Sequence, residues 1–502
     1  LDDRSRIDPP PDHATTACLN TGVAGEVIGF YMPHRPPVYP TSCIHSDLSA
    51  LAGRQLGPFT NDHTFDAYQE LDSVREFLFP DEPVVGQLQI EWPKTAHEIA
   101  SFKDGPVPLY VPVQPADFDD WVTRFPLSRQ TVFKAANKLH IPLTSRDARV
   151  KSFIKFEASP KWDDKIGYAE LVPRNISSRE PLYQVRTGPW THAMTKKLSE
   201  LWHPMRVPTR GLHIVYSSGT SAEDLGNLVT LATTRAGICY VIENDFSRFD
   251  GSLTPEVIAA ELSIYASFGP PPEVWEALVM QLRCDGVSAK GAKFYGVGRR
   301  KSGDGNTSLG NSLINAAAHI AALRALEGVD YDPDKSTMLV LGDDNLLILA
   351  FRNNPTVQQI ATIERGFATH MARLGLRPKT KIHATIEPAE FCSGLFYPVA
   401  LDGVRTLVWG PKIGRVLYKT GIVKAEGSEL KKRDRALAEY RGTLIGLMNT
   451  VAHIPLLGAL FKAHLRLLDQ NGHTATIMPE KLEHQIRATT AFEMTEETWQ
   501  FV

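Results

Sequence analysis

The run Leu339-Val340-Leu341-Gly342-Asp343-Asp344-Asn345-Leu346-Leu347-Ile348 constrains this chain more than any other. Two apolar β-type segments flank a Gly-Asp-Asp step. Short apolar runs bounded by a turn signal read as buried strands, so the segment is expected to form a hairpin with Gly-Asp-Asp at its turn. Adjacent carboxylates at the tip of a buried hairpin repel each other and lose hydration. A divalent cation removes that cost, and a carboxylate-held Mg²⁺ beside a phosphate is the usual purpose of such a site. Gly and Asp are also ordinary turn residues, so the hairpin alone fits a plain turn as well.

A second acidic segment lies upstream in Cys239-Tyr240-Val241-Ile242-Glu243-Asn244-Asp245-Phe246-Ser247-Arg248-Phe249-Asp250. A β-type run ends near Asp245, and Asp250 falls in the connection that follows. Thr254-Pro255-Glu256 then reads as a helix start, with a Thr cap, Pro in the first turn and an acid at the N-terminus. If this strand pairs beside the hairpin, Asp245 and Asp343 face one another. Two such carboxylates could hold two metal ions roughly 4 Å apart, a spacing suited to phosphoryl transfer.

Between the acidic segments lies Lys301-Ser302-Gly303-Asp304-Gly305-Asn306-Thr307-Ser308-Leu309-Gly310-Asn311. A Gly-rich loop runs into a long helix, expected from Ser308 to about Glu327 with Gly328 past its end. Thr307 and Asn311 are four apart and so share a helix face.

Asp245-x4-Asp250, Ser302-Gly303-x3-Thr307-x3-Asn311 and Gly342-Asp343-Asp344, in that order, resemble the palm motifs A, B and C of positive-strand RNA virus RNA-dependent RNA polymerases. The wording around them is most similar to the tombusvirus and nodavirus-like branch, and the resemblance spans roughly Lys151 to Lys419. It implies an α+β right-hand fold of fingers, palm and thumb, with an antiparallel palm sheet flanked by helices. It also implies Mg²⁺, with Mn²⁺ as a substitute, held by Asp245, Asp343 and Asp344. The implied partners are an RNA template and product strand, NTPs and other replicase domains or subunits. The implied setting is the host cytoplasm, in a membrane-associated replication complex.

Further segments extend the resemblance. Phe153-Ile154-Lys155-Phe156-Glu157 and Pro173-Arg174-Asn175-Ile176-Ser177-Ser178-Arg179 resemble the fingers motif F, in which basic residues meet the nucleotide triphosphate. Lys155, Arg174 and Arg179 are the candidates; Arg offers a rigid donor fork and Lys a point charge. Thr356 to Leu374 reads as an amphipathic helix closed by Gly375. Leu376-Arg377-Pro378-Lys379-Thr380-Lys381 then resembles motif D, which supplies a lysine general acid to the leaving pyrophosphate. Lys379 is preferred, on a mobile loop that closes on the triphosphate, with Lys381 as the alternative. Glu390-Phe391-Cys392-Ser393-Gly394-Leu395-Phe396-Tyr397 resembles motif E, a β-turn in which Cys392 and Ser393 support the primer end.

Reverse transcriptases place a bulky aromatic where this chain has Asp250. Asp250 with Thr307 and Asn311 can instead bond a ribose 2′-OH, and Ser302 and Gly303 complete the expected nucleotide site. A site built to bond a hydroxyl rejects the analogue that lacks it. Ribonucleotides are therefore the expected substrate. A reverse transcriptase and an inactive RNA-binding replicase subunit are the rival readings.

The 502 residues exceed what one small core needs. A net charge of −3 gives no global basic signature, so RNA contact would rest on local stripes. Two candidates are Lys290-Gly291-Ala292-Lys293 through Arg299-Arg300-Lys301, and Lys412-Ile413-Gly414-Arg415 with Lys419. Cys18, Cys43, Cys239, Cys284 and Cys392 form no Cys-x-x-Cys pair, so zinc and a disulfide framework are not expected. No apolar run reaches membrane-spanning length. The first residue is Leu, which fits a processed product or a fragment of a longer replicase. Residues 1–140 are expected to brace fingers and thumb, 141–235 and 270–300 to form fingers, 236–269 and 301–400 palm, and 401–502 a mostly helical thumb.

Overall fold

The computed structural model describes residues 44–56, 59, 65–93, 96, 102, 104–155, 173–420, 429–477 and 492–501. The early proline clusters, Cys18, Cys43 and Phe156-Glu157 lie outside these residues.

The strands are β1 (Gly86–Ile90), β2 (Gly105–Leu109), β3 (Val150–Ile154), β4 (Asn175–Arg179), β5 (His213–Tyr216), β6 (Cys239–Phe246), β7 (Gly286–Ser288), β8 (Lys293–Phe294), β9 (Tyr331–Leu341), β10 (Asp344–Phe351), β11 (Pro378–His383), β12 (Gly394–Leu401) and β13 (Val404–Pro411). The helices that position them are α1 (Ala67–Ser73), α2 (Pro181–Leu201), α3 (Ala222–Ala236), α4 (Phe249–Ser252), α5 (Pro255–Ala266), α6 (Thr307–Arg324), α7 (Val357–Arg373), α8 (Ile413–Thr420), α9 (Glu429–Val451) and α10 (Leu457–Gln470).

A five-stranded sheet with order β11-β6-β10-β9-β5 forms the centre. It is antiparallel except where β5 pairs parallel with β9. β5, β10 and the second half of β9 are apolar on both faces because both faces are covered. Val340, Leu347, Leu349 and Ile242 pack with Leu313, Ala317 and Ile320 of α6 and with Ile363 and Phe367 of α7. The alternate residues Val241, Leu339, Leu346 and Ile348 pack with Leu225, Val229 and Ala232 of α3 and with Phe391 and Phe396. This two-sided burial explains why β9 and β10 read as continuous apolar runs rather than as alternating strands.

Local signals act where expected. The Thr254 hydroxyl accepts from the Val257 N–H, and Pro255 opens α5. Thr356 and Gln359 form a capping box on α7, and Gly375 at φ +83° follows its last turn. Helix α6 begins at Thr307 but stops at Arg324, short of the expected Glu327.

A second sheet, β4-β3-β7-β8, joins residues near 150–179 to 286–294, the two segments expected to lie together. Two assignments change. β5 and α3, expected among the fingers, belong to the central sheet and its covering layer. The hairpin β12-β13 runs across the expected boundary at residue 400. The N-terminal segment braces chiefly the central core: α1, Phe79, Ile90 and Val107 share one hydrophobic cluster with α5 and α6. Near the C-terminus, α9 and α10 pack around Leu444, Val451, Leu457 and Phe461, with Tyr397 of β12 against them.

Candidate active site

The hairpin turn consists of Gly342 and Asp343, with Leu341 paired to Asp344. Gly342 has φ +66°, and Asp343 is not among the residues with positive φ. That is the type II′ pattern, which a glycine at the first central position permits. Helix α6 fixes the turn. The Gly342 N–H donates to the Ser312 hydroxyl at 2.8 Å. The Asn315 amide donates to the carbonyls of Gly342 and Asp343, each at 3.0 Å.

Strand β6 lies directly beside β10. The Asn345 amide donates to the Asn244 carbonyl at 2.9 Å, and the Asn244 N–H donates to the Asn345 side chain at 3.3 Å. This clasp sets Asp245 next to the hairpin tip. Asp245 then shares its face of the sheet with Asp344, because side chains alternate along both strands.

The three carboxylates feel one another. Burial first, with a contribution from Asp245, raises Asp343 above the usual carboxylate range, while Arg174 opposes the rise. Burial and then the charges of Asp343 and Asp245 push Asp344 up to about 6, against the Cys392 thiol and Arg415. Asp245, Asp343 and Asp344 still reach water. Solvent therefore softens the repulsion without removing it. Asp245 was expected to face Asp343; along the sheet it shares its face with Asp344, and Asp343 lies in the turn beside them.

Asp250 lies in α4, and the Asn311 amide donates to its Oδ1 at 2.8 Å. Burial raises Asp250; Asn311 and Arg300 oppose that, and Asp343 adds to it. So Asp250 and Asn311 meet at the edge of the acidic cluster. Arg174 bears electrostatically on both Asp250 and Asp343. The Lys155 N–H donates to the Arg174 carbonyl at 2.8 Å, which puts both basic residues at the same end of the β3-β4 pair.

Other candidates are used differently. Arg179 is 3% exposed; its Nε donates to Asp304 at 2.8 Å, its Nη1 donates to the Ala148 carbonyl, and its guanidinium lies 4.8 Å from the Tyr183 ring centre. It ties the Gly-rich loop to β4, and its donors are turned to these internal partners. Thr307 turns its hydroxyl onto the carbonyls of Lys301 and Asp304, at 3.0 and 2.8 Å, and not toward Asp250. The Ser302 hydroxyl donates to the Asn175 carbonyl at 3.2 Å, and the Gly303 N–H donates to the Ser177 carbonyl at 2.9 Å. A Cβ on Gly303 would stand 2.5 Å from that carbonyl, so only glycine lets the loop zip onto β4. Arg299, Arg300 and Lys301 are 8%, 3% and 1% exposed, which removes them from any RNA-facing stripe.

Lys379 stands on β11, paired with β6, and not on a mobile loop. Its register partner is Asp245, so the two side chains leave the sheet on one face. Lys379 is exposed and makes no ion pair among the described residues. Lys381, the alternative, is bound to Glu243 at 2.5 Å, which raises its pKa. Cys392 and Ser393 form the expected turn, both at positive φ (51° and 62°), between Phe391 and Gly394, which exchange hydrogen bonds. Burial, and then the Asp344 carboxylate that the Cys392 thiol bonds, push the thiol well up.

Sequence reasoning missed Asn315, His319 and Asn345, and it named Arg415 only within a basic stripe, not beside Asp344. A signal existed: Asn311, Asn315 and His319 recur every four residues in a helix otherwise rich in Ala and Leu. Polar groups buried at helical spacing in an apolar helix need partners. Among the described residues, no three His, Cys, Asp or Glu side chains close into a metal cage. The open carboxylate cluster still fits Mg²⁺, which keeps several waters and takes one or two carboxylates plus substrate phosphates.

The family described as viral RNA dependent RNA polymerase matches residues 126–475. The RNA-directed RNA polymerase of Tomato bushy stunt virus (strain Cherry) is 28% identical over 282 residues, covering 55% of this chain and 31% of that protein. That of Turnip crinkle virus is 30% identical over 198 residues, covering 37% and 24%. That of Pothos latent virus is 27% identical over 334 residues, covering 64% and 40%. The chain therefore spans less than half the length of these relatives.

Proposed function

This chain belongs to the viral RNA-dependent RNA polymerases, and on that premise we propose that it synthesises RNA on an RNA template from NTPs, replicating a viral genome. The observation that carries this reading is the cluster of Asp245, Asp343 and Asp344 at one end of the central sheet. Asp343 and Asp344 are pushed up by burial and by neighbouring acids, and so await a cation.

In this reading the central sheet is the palm, the β4-β3-β7-β8 sheet belongs to the fingers, and the helices after β13 form the thumb. Asp245 and Asp343, supported by Asp344, would hold Mg²⁺ or Mn²⁺. When bound, the cation neutralises phosphate charge and favours the attacking hydroxyl in its ionised form. The chain's own groups do the rest. Arg174 and Lys155 receive the triphosphate with charge-assisted hydrogen bonds. Asp250, held by Asn311, accepts from the ribose 2′-OH. Lys379, opposite Asp245, gives its proton to the leaving pyrophosphate. The Cys392-Ser393 turn carries the primer end. Positioning and charge stabilisation supply most of the rate in such transfers. We place the chain in a cytoplasmic, membrane-associated replication complex with further replicase parts. Co-sedimentation of the full replicase with membranes tests that placement, and a wholly soluble replicase would refute it.

Extension of a labelled primer on an RNA template, with NTPs or dNTPs and with or without primer, tests the function. RNA product that depends on template and divalent cation is expected. DNA product would make the chain a reverse transcriptase, and no product with either substrate would leave an inactive RNA-binding subunit.

A further inference from the structure

Helix α6 presents Asn311, Asn315 and His319 one turn apart, and none is more than 3% exposed. Asn311 bonds Asp250, and Asn315 bonds the hairpin tip. His319 touches no acid, yet it is fully buried and bonded through both ring nitrogens. We propose that His319 is a positioning residue for nucleotide addition: it orients the Asn244 carboxamide and through it sets Asp245 on β6 and Lys379 on β11. The proposal rests on the polymerase reading above.

The hydrogen-bond sense follows from the partners. His319 Nδ1 lies 2.8 Å from the Asn315 carbonyl, which can only accept, so Nδ1 carries the proton. In the neutral ring Nε2 is then an acceptor, and the Asn244 amide nitrogen at 2.8 Å is its donor. That turns the Asn244 side-chain oxygen toward β11, where the Thr380 hydroxyl donates to it at 2.5 Å. Three bonds thus run in one sense from β11 through β6 to α6. The imidazole sits beside Phe246 and Phe367, with ring centres 6.1 and 5.5 Å away.

The leverage comes from strand geometry. Asn244 immediately precedes Asp245, and Thr380 immediately follows Lys379. Neighbouring side chains leave opposite faces of a strand. Pinning Asn244 and Thr380 on the α6 side therefore fixes Asp245 and Lys379 on the other. Strand β11 is an edge strand, held on one side only by its ladder with β6. The Thr380 bond is a side-chain anchor against its slipping or tilting, and a slip of one residue would send Lys379 to the wrong face.

Single-nucleotide addition kinetics test this on the intact chain. His319→Phe keeps an aromatic ring and removes the acceptor. It should slow the addition step by about ten- to hundredfold, the scale of a misplacement near 1 Å, while nucleotide affinity stays within about threefold. His319→Gln restores an acceptor and should recover most of the rate. Thr380→Val cuts the far end of the chain on a partly exposed strand. It should slow the same step, and adding it to His319→Phe should cost little more, because the two act through one path. Amide hydrogen exchange along Pro378–His383, measured without divalent cation, should quicken in His319→Phe and Thr380→Val but not in His319→Gln. Wild-type rates in both His319→Phe and Thr380→Val overturn the proposal. So does a loss in His319→Phe that Thr380→Val does not share and His319→Gln does not restore, since His319 then only fills the core. If the wild-type chain adds no nucleotide, the polymerase reading fails, and the exchange pattern still decides whether His319 anchors β11.

Discussion

Two groups of charges lie on either side of the same loop-helix junction and differ in how they are neutralised. In the Gly-rich loop every buried charge has an internal partner. Arg179 meets Asp304, Arg300 meets Glu261, and the Lys301 ammonium donates to the carbonyls of Gln281 and Gly298. At the hairpin tip, Asp245, Asp343 and Asp344 crowd together, and the cations near them, Arg174 and Arg415, only partly offset the repulsion. The first group closes a structure. The second keeps part of its repulsion, since Arg174 and Arg415 only partly offset it. Charge type alone does not distinguish a binding residue from a structural one; the partners already present do.

Removing an acid at the tip should separate the two groups most sharply. Asp343→Ala or Asp245→Ala should lose nearly all incorporation, on the order of a thousandfold, while melting of the cation-free protein stays equal or rises as repulsion is relieved. Incorporation within about tenfold of wild type in either variant would break the assignment.

Next come the lysines of β11. Lys379→Leu should slow the chemical step by about 10²–10⁴-fold with little change in nucleotide affinity, the usual range for a general acid. Lys381→Leu should do much less, because Lys381 is engaged with Glu243. Pre-steady-state kinetics on both decide it, and a larger loss for Lys381→Leu transfers the role.

The closed group should respond in stability. Arg179→Met leaves Asp304 buried without its partner and should cost about 3–5 kcal/mol in urea unfolding, with the nucleotide KM of the folded fraction unchanged. A tenfold rise in KM at full stability would return Arg179 to the triphosphate.

Asn311 stands between the groups, since it donates to Asp250 and accepts from Arg300 at 2.9 Å. Asn311→Ala should lower the preference for NTP over dNTP by one or two decades, about 1–3 kcal/mol. An unchanged ratio places the reading of the hydroxyl elsewhere.

The smallest effect concerns a neutral buried group away from both. Burial lowers His453 to about 4. The unfolded chain therefore binds a proton below about pH 6.5 that the native chain refuses, and stability falls as pH drops from there towards 4. His453→Phe should make the acid limb of stability against pH shallower by up to about 1.4 kcal/mol per pH unit. Urea titrations across that range test it, and an unaltered slope shows that His453 is protonated in the fold.

Strongly local features were legible. The acid pair at a tight turn, the Thr254 cap and the helix from Thr356 closed by Gly375 all depend on residues a few positions apart. Arg179 was misjudged for the opposite reason. Its partner Asp304 lies 125 positions away, and nothing local distinguishes a buried arginine from an exposed one. The loop expected around Lys379 became a strand because β6 supplies its ladder, and Pro378-Lys379-Thr380-Lys381 carries no β-pattern strong enough to announce that by itself. Thr307 lies on the expected helix face, but its hydroxyl found two nearby carbonyls before it could face a sugar.

By itself the sequence determined the inventory of the site: which acids, which amides, which basic segments, and the family they resemble. Those are properties of residue type and spacing along the chain. Tertiary structure alone decided that Asp344 shares a face with Asp245, that Lys379 stands opposite Asp245, and that Asn315 and His319 of α6 hold the strands beneath them. Strand order and register join residues far apart in sequence, and a shift of one residue in pairing reverses every side chain's face, so the geometry of the site exists only once the sheet has formed.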